Sequence, residues 1–166
     1  MEKFTFHEEK RLEALNRYSF HSNSKNDHLE TLLGAASAIF SVPIAVITMV
    51  DNNYVRTEIY YGLHYTIPVE RKHSICTLAI LKNNITVFEN AKIDPCLLSN
   101  PFVHGEFNLN FYAGAPLSTP DGFNIGMFCI LDHVPKSFSI ADQLILKKMA
   151  KEIMLYLNLN FTLKAI

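Results

Sequence analysis

The segment FYAGAPLSTPDGFNIGMFCILD, residues 111–132, constrains the fold more than any other part of the sequence. Its central TPDG has turn chemistry, because proline presets the φ of the second turn position and glycine accepts a positive φ. The apolar runs on either side therefore predict a β-hairpin. Both alternating sets of residues between 125 and 131 are apolar, which predicts a central strand covered on both faces.

The rest of the chain supplies more antiparallel strands. The runs AVITMVD (45–51) and YVRTEIYY (54–61) are rich in β-branched and aromatic residues and predict a second hairpin. ITVFEN (85–90) predicts a small further strand. On YVRTEIYY, Arg56, Glu58 and Tyr60 are expected on one face, with the two charges paired at a solvated edge.

Helical patterns flank these strands. Leu12, Leu15 and Tyr18 indicate a leading helix within residues 1–20. A second helix is expected to begin with Asp27 as its cap and to end at SVP (41–43). Ser74 is expected to cap a short helix over residues 75–81, and Ser139 a closing helix over 139–161. In the closing helix the candidates for burial are Ile140, Leu144, Met149, Ile153 and Leu157.

Two glycines interrupt the first hairpin. If TPDG is the turn, Gly114 and Gly126 should lie nearly opposite each other and form a thin patch in the sheet. Such a patch would be either a floor for a small ligand or a place where another segment packs closely, and the spacing favours packing.

Composition excludes several classes of function. The net charge is −1 and there is no block of Lys or Arg, so nothing favours nucleic acid or an anionic membrane surface. The first residues lack the apolar run of a signal peptide, and no stretch approaches the roughly 18 apolar residues that span a bilayer. Three widely spaced cysteines do not make a secreted disulfide framework. A cytoplasmic protein is expected.

These segments, in this order, resemble a GAF domain, in particular those that precede histidine kinase or diguanylate cyclase modules in bacterial signalling proteins. The resemblance is carried by Leu12, PIAVITMVD (43–51), YGL (61–63), SIC (74–76), DPCLLSNPFVHG (94–105), the 111–132 hairpin and the closing helix. It implies one α+β domain over residues 1–166, with five or six antiparallel strands. Terminal helices would cover one face, and loops with a short helix would cover a pocket on the other.

GAF domains bind cyclic nucleotides, tetrapyrroles, haem or other small molecules, and some only dimerise or relay signals. The sequence departs from the two best-marked ligand classes. It lacks the N-K-x-x-F…D-E signature of cyclic-nucleotide binding, and none of its cysteines is followed by histidine, as chromophore attachment requires. Asn110 and Cys96 stand where arginine is usual, and Ile75 where phenylalanine is usual. The cofactor or ligand is therefore left unknown.

Two features carry chemistry of their own. Cys76 is expected in the first turn of the short helix, where backbone N–H groups stabilise a thiolate, or else as a buried small hydrophobe. RKHS (71–74) is either an anion site or an exposed polar loop. A meeting of Cys76 with Cys96 would permit thiol chemistry like that of free methionine sulfoxide reductases, whereas Cys129 is expected in the core. The histidines show no metal-site spacing.

These observations predict a small-molecule sensor without catalytic residues, dimeric through its terminal helices, with a partner or a fused output module. The alternatives are a ligand-free interaction module, whose own aromatic side chains fill the pocket, and the thiol enzyme. The residues predicted to line the pocket are Tyr60, Arg71, Ser74, Cys76, Phe102, Phe111, Tyr112 and Phe128.

Overall fold

The computed structural model describes residues 2–18 and 26–165, with side chains over 7–18 and 26–160. Its helices are α1 (Glu2–Asn16), α2 (Asp27–Phe40), α3 (Ile75–Ala79), α4 (Pro101–His104) and α5 (Ile140–Ala165). Its strands are β1 (Ile44–Val50), β2 (Tyr54–Tyr61), β3 (Val69–Glu70), β4 (Thr86–Phe88), β5 (Phe111–Ser118) and β6 (Asn124–Asp132). This order agrees with the predicted one apart from β3 and α4, which fall in segments that were expected to be irregular; residues 1, 19 and 20 of the expected leading helix lie outside the described residues.

The six strands form one antiparallel sheet in the order β3-β2-β1-β6-β5-β4. β6 pairs with both β1 and β5 and is buried over most of its length, which confirms the predicted central strand. The α+β fold class is also confirmed, and the six strands match the upper end of the expected range of five or six. No helix in the described ranges is long and apolar enough to cross a bilayer.

The starts of α2, α3 and α5 agree with the predicted boundaries within a residue, whereas α1 ends at Asn16, before Tyr18, and α5 continues beyond residue 161 to Ala165. The cap of α2 is Asn26 rather than Asp27, because the Asn26 side chain accepts the Leu29 N–H at 3.1 Å. At the other end of the chain, Ser139 Oγ accepts the Asp142 N–H at 3.1 Å and the Asp142 carboxylate accepts the Ser139 N–H at 2.9 Å. This reciprocal pair satisfies two backbone donors that the start of α5 would otherwise leave free.

Opposed glycines were expected in the hairpin, and that expectation is wrong. Gly114 pairs with Cys129 and Gly126 with Leu117, because residues 119–123 all belong to the loop and the register shifts beyond Leu117. A Cβ on Gly126 would lie 1.9 Å from the Thr48 carbonyl oxygen. A Cβ on Gly114 would lie 2.6 Å from the hydroxyl oxygen of Tyr112. Both glycines therefore serve close packing, and neither forms a ligand floor.

The two faces of the sheet are covered differently. Helices α1, α2 and α5 lie on one face and bury a large apolar core that includes Phe111 and Phe128. Among the described residues, only α3, α4, short 3₁₀ turns and loops lie on the other face, over a smaller core that includes Val46, Cys76 and Tyr112. In α5 the buried residues include Leu146 and Ile153, whereas Ile140 and Leu144, which were expected to be buried, are exposed.

Candidate ligand cavity

A cavity of about 440 Å³ lies on the loop-covered face of the sheet. Its floor comes from β1, β2, β5 and β6, and its walls come from the start of α3, residues 62–69 and residues 102–109. Most of the lining is apolar, and the hydroxyls of Thr48, Thr57, Ser74 and Tyr112 are its principal uncharged polar groups. The cavity exists because α3 has only five residues and cannot cover the sheet as the long helices cover the other face.

Gly62 directs the chain from β2 into one wall of the cavity. Its φ of +85° is unfavourable for other residues, and a Cβ there would lie 2.0 Å from the Pro43 carbonyl oxygen. The chain can therefore turn at the end of β2 and continue through His64 and Ile67 along the cavity. This explains why the YGL tripeptide carries a glycine at that point.

Two thiols meet at the base of the cavity. The sulfur of Cys76, in the first turn of α3, lies 3.8 Å from the sulfur of Cys129 on β6. Tyr112 places its hydroxyl oxygen 3.2 Å from the Cys129 sulfur and 3.6 Å from the Cys76 sulfur. Thr48 donates its hydroxyl to the Cys76 sulfur at 3.4 Å. All four side chains line the cavity.

This arrangement shifts the pKa values of the two thiols in opposite directions. The hydrogen bond with Cys129 is the largest influence on Cys76 and lowers its pKa against the opposing effect of burial. Hydrogen bonds with Thr48, Tyr112 and Ser74 lower the pKa of Cys76 further. Burial raises the pKa of Cys129 and of Tyr112 well above their usual values. Cys76 is therefore the thiol that ionises first, whereas the Cys129 thiol donates to the Tyr112 hydroxyl oxygen.

Four of the eight predicted pocket residues line this cavity: Ser74, Cys76, Phe102 and Tyr112. Ser74 also caps α3, since its hydroxyl accepts the Cys76 N–H at 3.2 Å. Phe111 and Phe128 do not line it, because adjacent residues of a strand point to opposite faces. With Tyr112 and Cys129 facing the cavity, both phenylalanines face the helices.

Arg71 is also outside the cavity wall. Its Nη1 donates to the Glu8 carboxylate of α1 at 2.6 Å and to the Asn52 carbonyl at 3.3 Å. Burial alone would raise the pKa of Glu8, but hydrogen bonds from Arg11 and Arg71 outweigh it and lower the pKa to about 2. The carboxylate that Arg71 binds thus belongs to the same chain, at a place where the sequence left open an anion site or an exposed polar loop.

Tyr60 lies on the cavity side of β2 but is 38% exposed and outside the cavity wall. The expectation that Arg56, Glu58 and Tyr60 share a face is wrong. Arg56 pairs with Met49 and Tyr60 with Val46, and the register shift between these pairs leaves Glu58 without an opposite residue. Because the bulge inserts one extra residue, the side chains that follow it point to the opposite face from the one that simple alternation predicts. The expected Arg56–Glu58 ion pair is present, at 3.3 Å.

The structure pairs Cys76 with Cys129 rather than with Cys96, which is exposed in a separate 3₁₀ turn. Sequence reasoning also missed Thr48, whose burial within an apolar strand was its only signal. It missed Arg11 as well, a buried arginine that donates to Val50 O at 2.8 Å and to Glu8. Across the described residues, no cluster of three or more His, Cys, Asp or Glu side chains could hold a metal ion.

No family model matches the chain. Solved structures do match it. The GAF domain of a phosphoenolpyruvate-protein phosphotransferase from Acinetobacter superposes with a TM-score of 0.68 at 15% identity, over 98% of this chain and 97% of that one. A domain of a putative two-component sensor histidine kinase from Sinorhizobium meliloti gives 0.66 at 17% identity, over 87% and 98%. The chain therefore has the fold of a GAF domain, which confirms the resemblance.

Two further similarities come from proteins named as enzymes. Free methionine-R-sulfoxide reductase from Neisseria meningitidis superposes with a TM-score of 0.66 at 15% identity, over 83% of this chain and 79% of that one. A cyclic di-GMP phosphodiesterase of Pseudomonas aeruginosa is 38% identical over 109 residues, which are 64% of this chain. The matched region spans only 18% of that phosphodiesterase.

Proposed function

We propose that this chain is a regulatory module that binds a small molecule in the cavity and relays binding through its terminal helices. The observation that carries the proposal is the cavity of about 440 Å³, in which hydroxyl and thiol groups converge between apolar walls. Small-molecule sites typically have this size and composition. Neighbours of the same fold in a sensor kinase and a phosphotransferase support a signalling role.

The lining indicates an uncharged ligand. None of the described residues that line the cavity is Lys, Arg, Asp or Glu. A phosphate or carboxylate buried there would lose its hydration without gaining a cation, which is costly. We therefore infer a small, mostly apolar molecule that hydrogen-bonds to Thr48 or Tyr112. The missing cation also argues against a cyclic nucleotide.

A relay from the cavity to α1 has a direct physical route. Arg71 belongs to a 3₁₀ turn that is followed by Ser74 and Cys76 of the cavity wall, and it is held by Glu8 of α1. A ligand that displaces the start of α3 therefore acts on the ion pair that docks α1. Such a ligand transmits a signal only if it binds the two positions of α1 with different affinity.

The outward side of α5 suits self-association. Ile140, Leu144, Leu155 and Leu159 are 56–77% exposed and share one side of the helix. Exposed apolar surface of this kind usually marks an interface. We propose that two copies pair through α5. In size-exclusion chromatography with light scattering, Leu155→Glu should then convert a dimer into a monomer, whereas Glu152→Gln should leave the dimer intact.

We further propose that the module works in the cytoplasm and controls an output module. The similarity to part of a cyclic di-GMP phosphodiesterase supports an output in second-messenger signalling. That output belongs either to the same polypeptide or to a partner.

Native mass spectrometry of gently purified protein tests ligand binding. The expected result is an additional, reproducible small-molecule mass. Thr57→Phe should remove it, since Thr57 lies on β2 and lines the cavity. Arg56→Phe is the matched control, because it adds the same ring on the opposite face of the sheet. Protein that carries no ligand and also binds nothing from a library of small uncharged compounds would instead favour a ligand-free interaction module.

A further inference from the structure

We propose that Cys76 and Cys129 form an oxidisable dithiol, in which a small hydroperoxide that enters the cavity converts the two thiols into a disulfide. This inference uses the same cavity but does not depend on the proposed regulatory ligand. It differs from a lone reactive cysteine because two sulfurs face each other within one polar cluster. It also involves a different pair from the one that the sequence suggested.

The geometry places the two sulfurs in contact with each other. They are 3.8 Å apart, whereas a disulfide bond is about 2.05 Å long. Both thiols are free and buried. Cys76 lies in α3, which has only five residues. A small shift of this short helix toward β6 is therefore the movement that bond formation requires.

Access and reactivity both favour Cys76 as the attacking thiol. Both cysteines line the cavity, but Cys76 is 5% exposed and Cys129 only 1%. The surroundings lower the pKa of Cys76, and the thiolate is the nucleophilic form. The Thr48 and Tyr112 hydroxyls and the Cys129 thiol surround its sulfur and are suited to stabilise the negative charge.

The chemistry balances with the hydroperoxide as the only oxidant. The Cys76 thiolate attacks the outer oxygen, the O–O bond breaks, and Cys76 becomes a sulfenic acid while hydroxide or alkoxide leaves and takes up a proton. The Cys129 thiol then attacks the Cys76 sulfur and expels water, which forms the S–S bond. In total, two thiols lose two electrons and two protons, and the peroxide is reduced to water and an alcohol or a second water.

Oxidation would change the cavity itself. The new bond would join α3 to the central strand and fix the wall that also carries Ser74. It would also remove both thiol hydrogens that now belong to the polar cluster with Tyr112. The cavity would therefore bind its ligand with different affinity in the two redox states. A displacement of α3 on oxidation would also act on α1 through the Arg71–Glu8 ion pair.

Peptide mapping tests the proposal on the unaltered protein. Reduced protein is treated with hydrogen peroxide, remaining thiols are alkylated under denaturing conditions, and the digest is analysed by mass spectrometry. We expect a cross-linked peptide pair containing Cys76 and Cys129, lighter by two hydrogens and restored by dithiothreitol. The exposed Cys96 serves as the internal reference. Alkylation of both Cys76 and Cys129 under conditions that oxidise Cys96, or oxygen addition to Cys76 without cross-linking, would overturn the proposal.

Three variants separate the steps. With Cys129→Ser, oxidation should stop at a Cys76 sulfenic acid that dimedone traps; with Cys76→Ser, neither product should form. Thr48→Val removes a hydrogen bond to Cys76 and should raise the pH at which Cys76 alkylation reaches half its maximal rate. A rise of one pKa unit lowers the thiolate fraction, and the rate near neutral pH, by up to about tenfold. An unchanged pH profile would show that the cluster does not tune this thiol.

Discussion

The two faces of the central strand β6 differ in what covers them. Phe128 faces three long helices and is fully buried in a continuous apolar core. Its neighbour Cys129 faces the cavity, where its contacts include polar atoms of Cys76 and Tyr112. The helix-covered face thus contributes a packed apolar core, whereas the loop-covered face contains an open cavity lined by reactive side chains. Adjacent residues of one strand accordingly have different roles.

The largest expected effect comes from truncating the helix-covered face. Phe128→Ala removes a fully buried ring and should lower the free energy of unfolding by about 3–5 kcal/mol, since the well-packed helices cannot close the space. Phe102→Ala, at the half-buried rim of the cavity, should cost only about 1 kcal/mol. Urea denaturation followed by circular dichroism measures both. Equal losses would mean that the two faces are packed alike.

The two glycines give the next contrast. Gly126→Ala directs a methyl group at the Thr48 backbone carbonyl, 1.9 Å away, and should destabilise the protein by about 2–3 kcal/mol because β1 would have to move. Gly114→Ala meets instead the hydroxyl end of Tyr112, at 2.6 Å, and should cost about 1 kcal/mol. Thermal unfolding of the two variants side by side would show the order. The reverse order would place the tighter contact on the cavity side.

The smallest effect concerns the ion pair that links the faces. Glu8 has a folded-state pKa of about 2 against a usual 4.5, so its contribution is complete above pH 4.5 and is lost as pH falls toward 2. Glu8→Gln should cost about 1 kcal/mol at neutral pH and flatten the pH dependence of unfolding across this interval. Glu9→Gln, at the exposed neighbouring position, should change neither the free energy of unfolding at neutral pH nor its pH dependence. A wild-type profile that is already flat would contradict a linking role for Glu8.

Local signals in the sequence determined most of the fold. Continuous apolar runs gave β5 and β6, turn residues gave their connection, and capping residues gave the starts of α3 and α5. These patterns work because strand and helix periodicity and capping are properties of neighbouring residues. The apolar character of both sides of β6 also showed that this strand is central.

Tertiary structure alone decided the site. Strand alternation separates Phe128 from Cys129, but only the packing of the helices shows which of them faces the cavity. The meeting of Cys76 with Cys129, and of Glu8 with Arg71, joins residues more than fifty positions apart in the chain. The bulge at Glu58 put Arg56 and Tyr60 on opposite faces of β2, although the sequence predicted that they share one. Long-range pairing and register depend on the whole sheet, so no local pattern contains them.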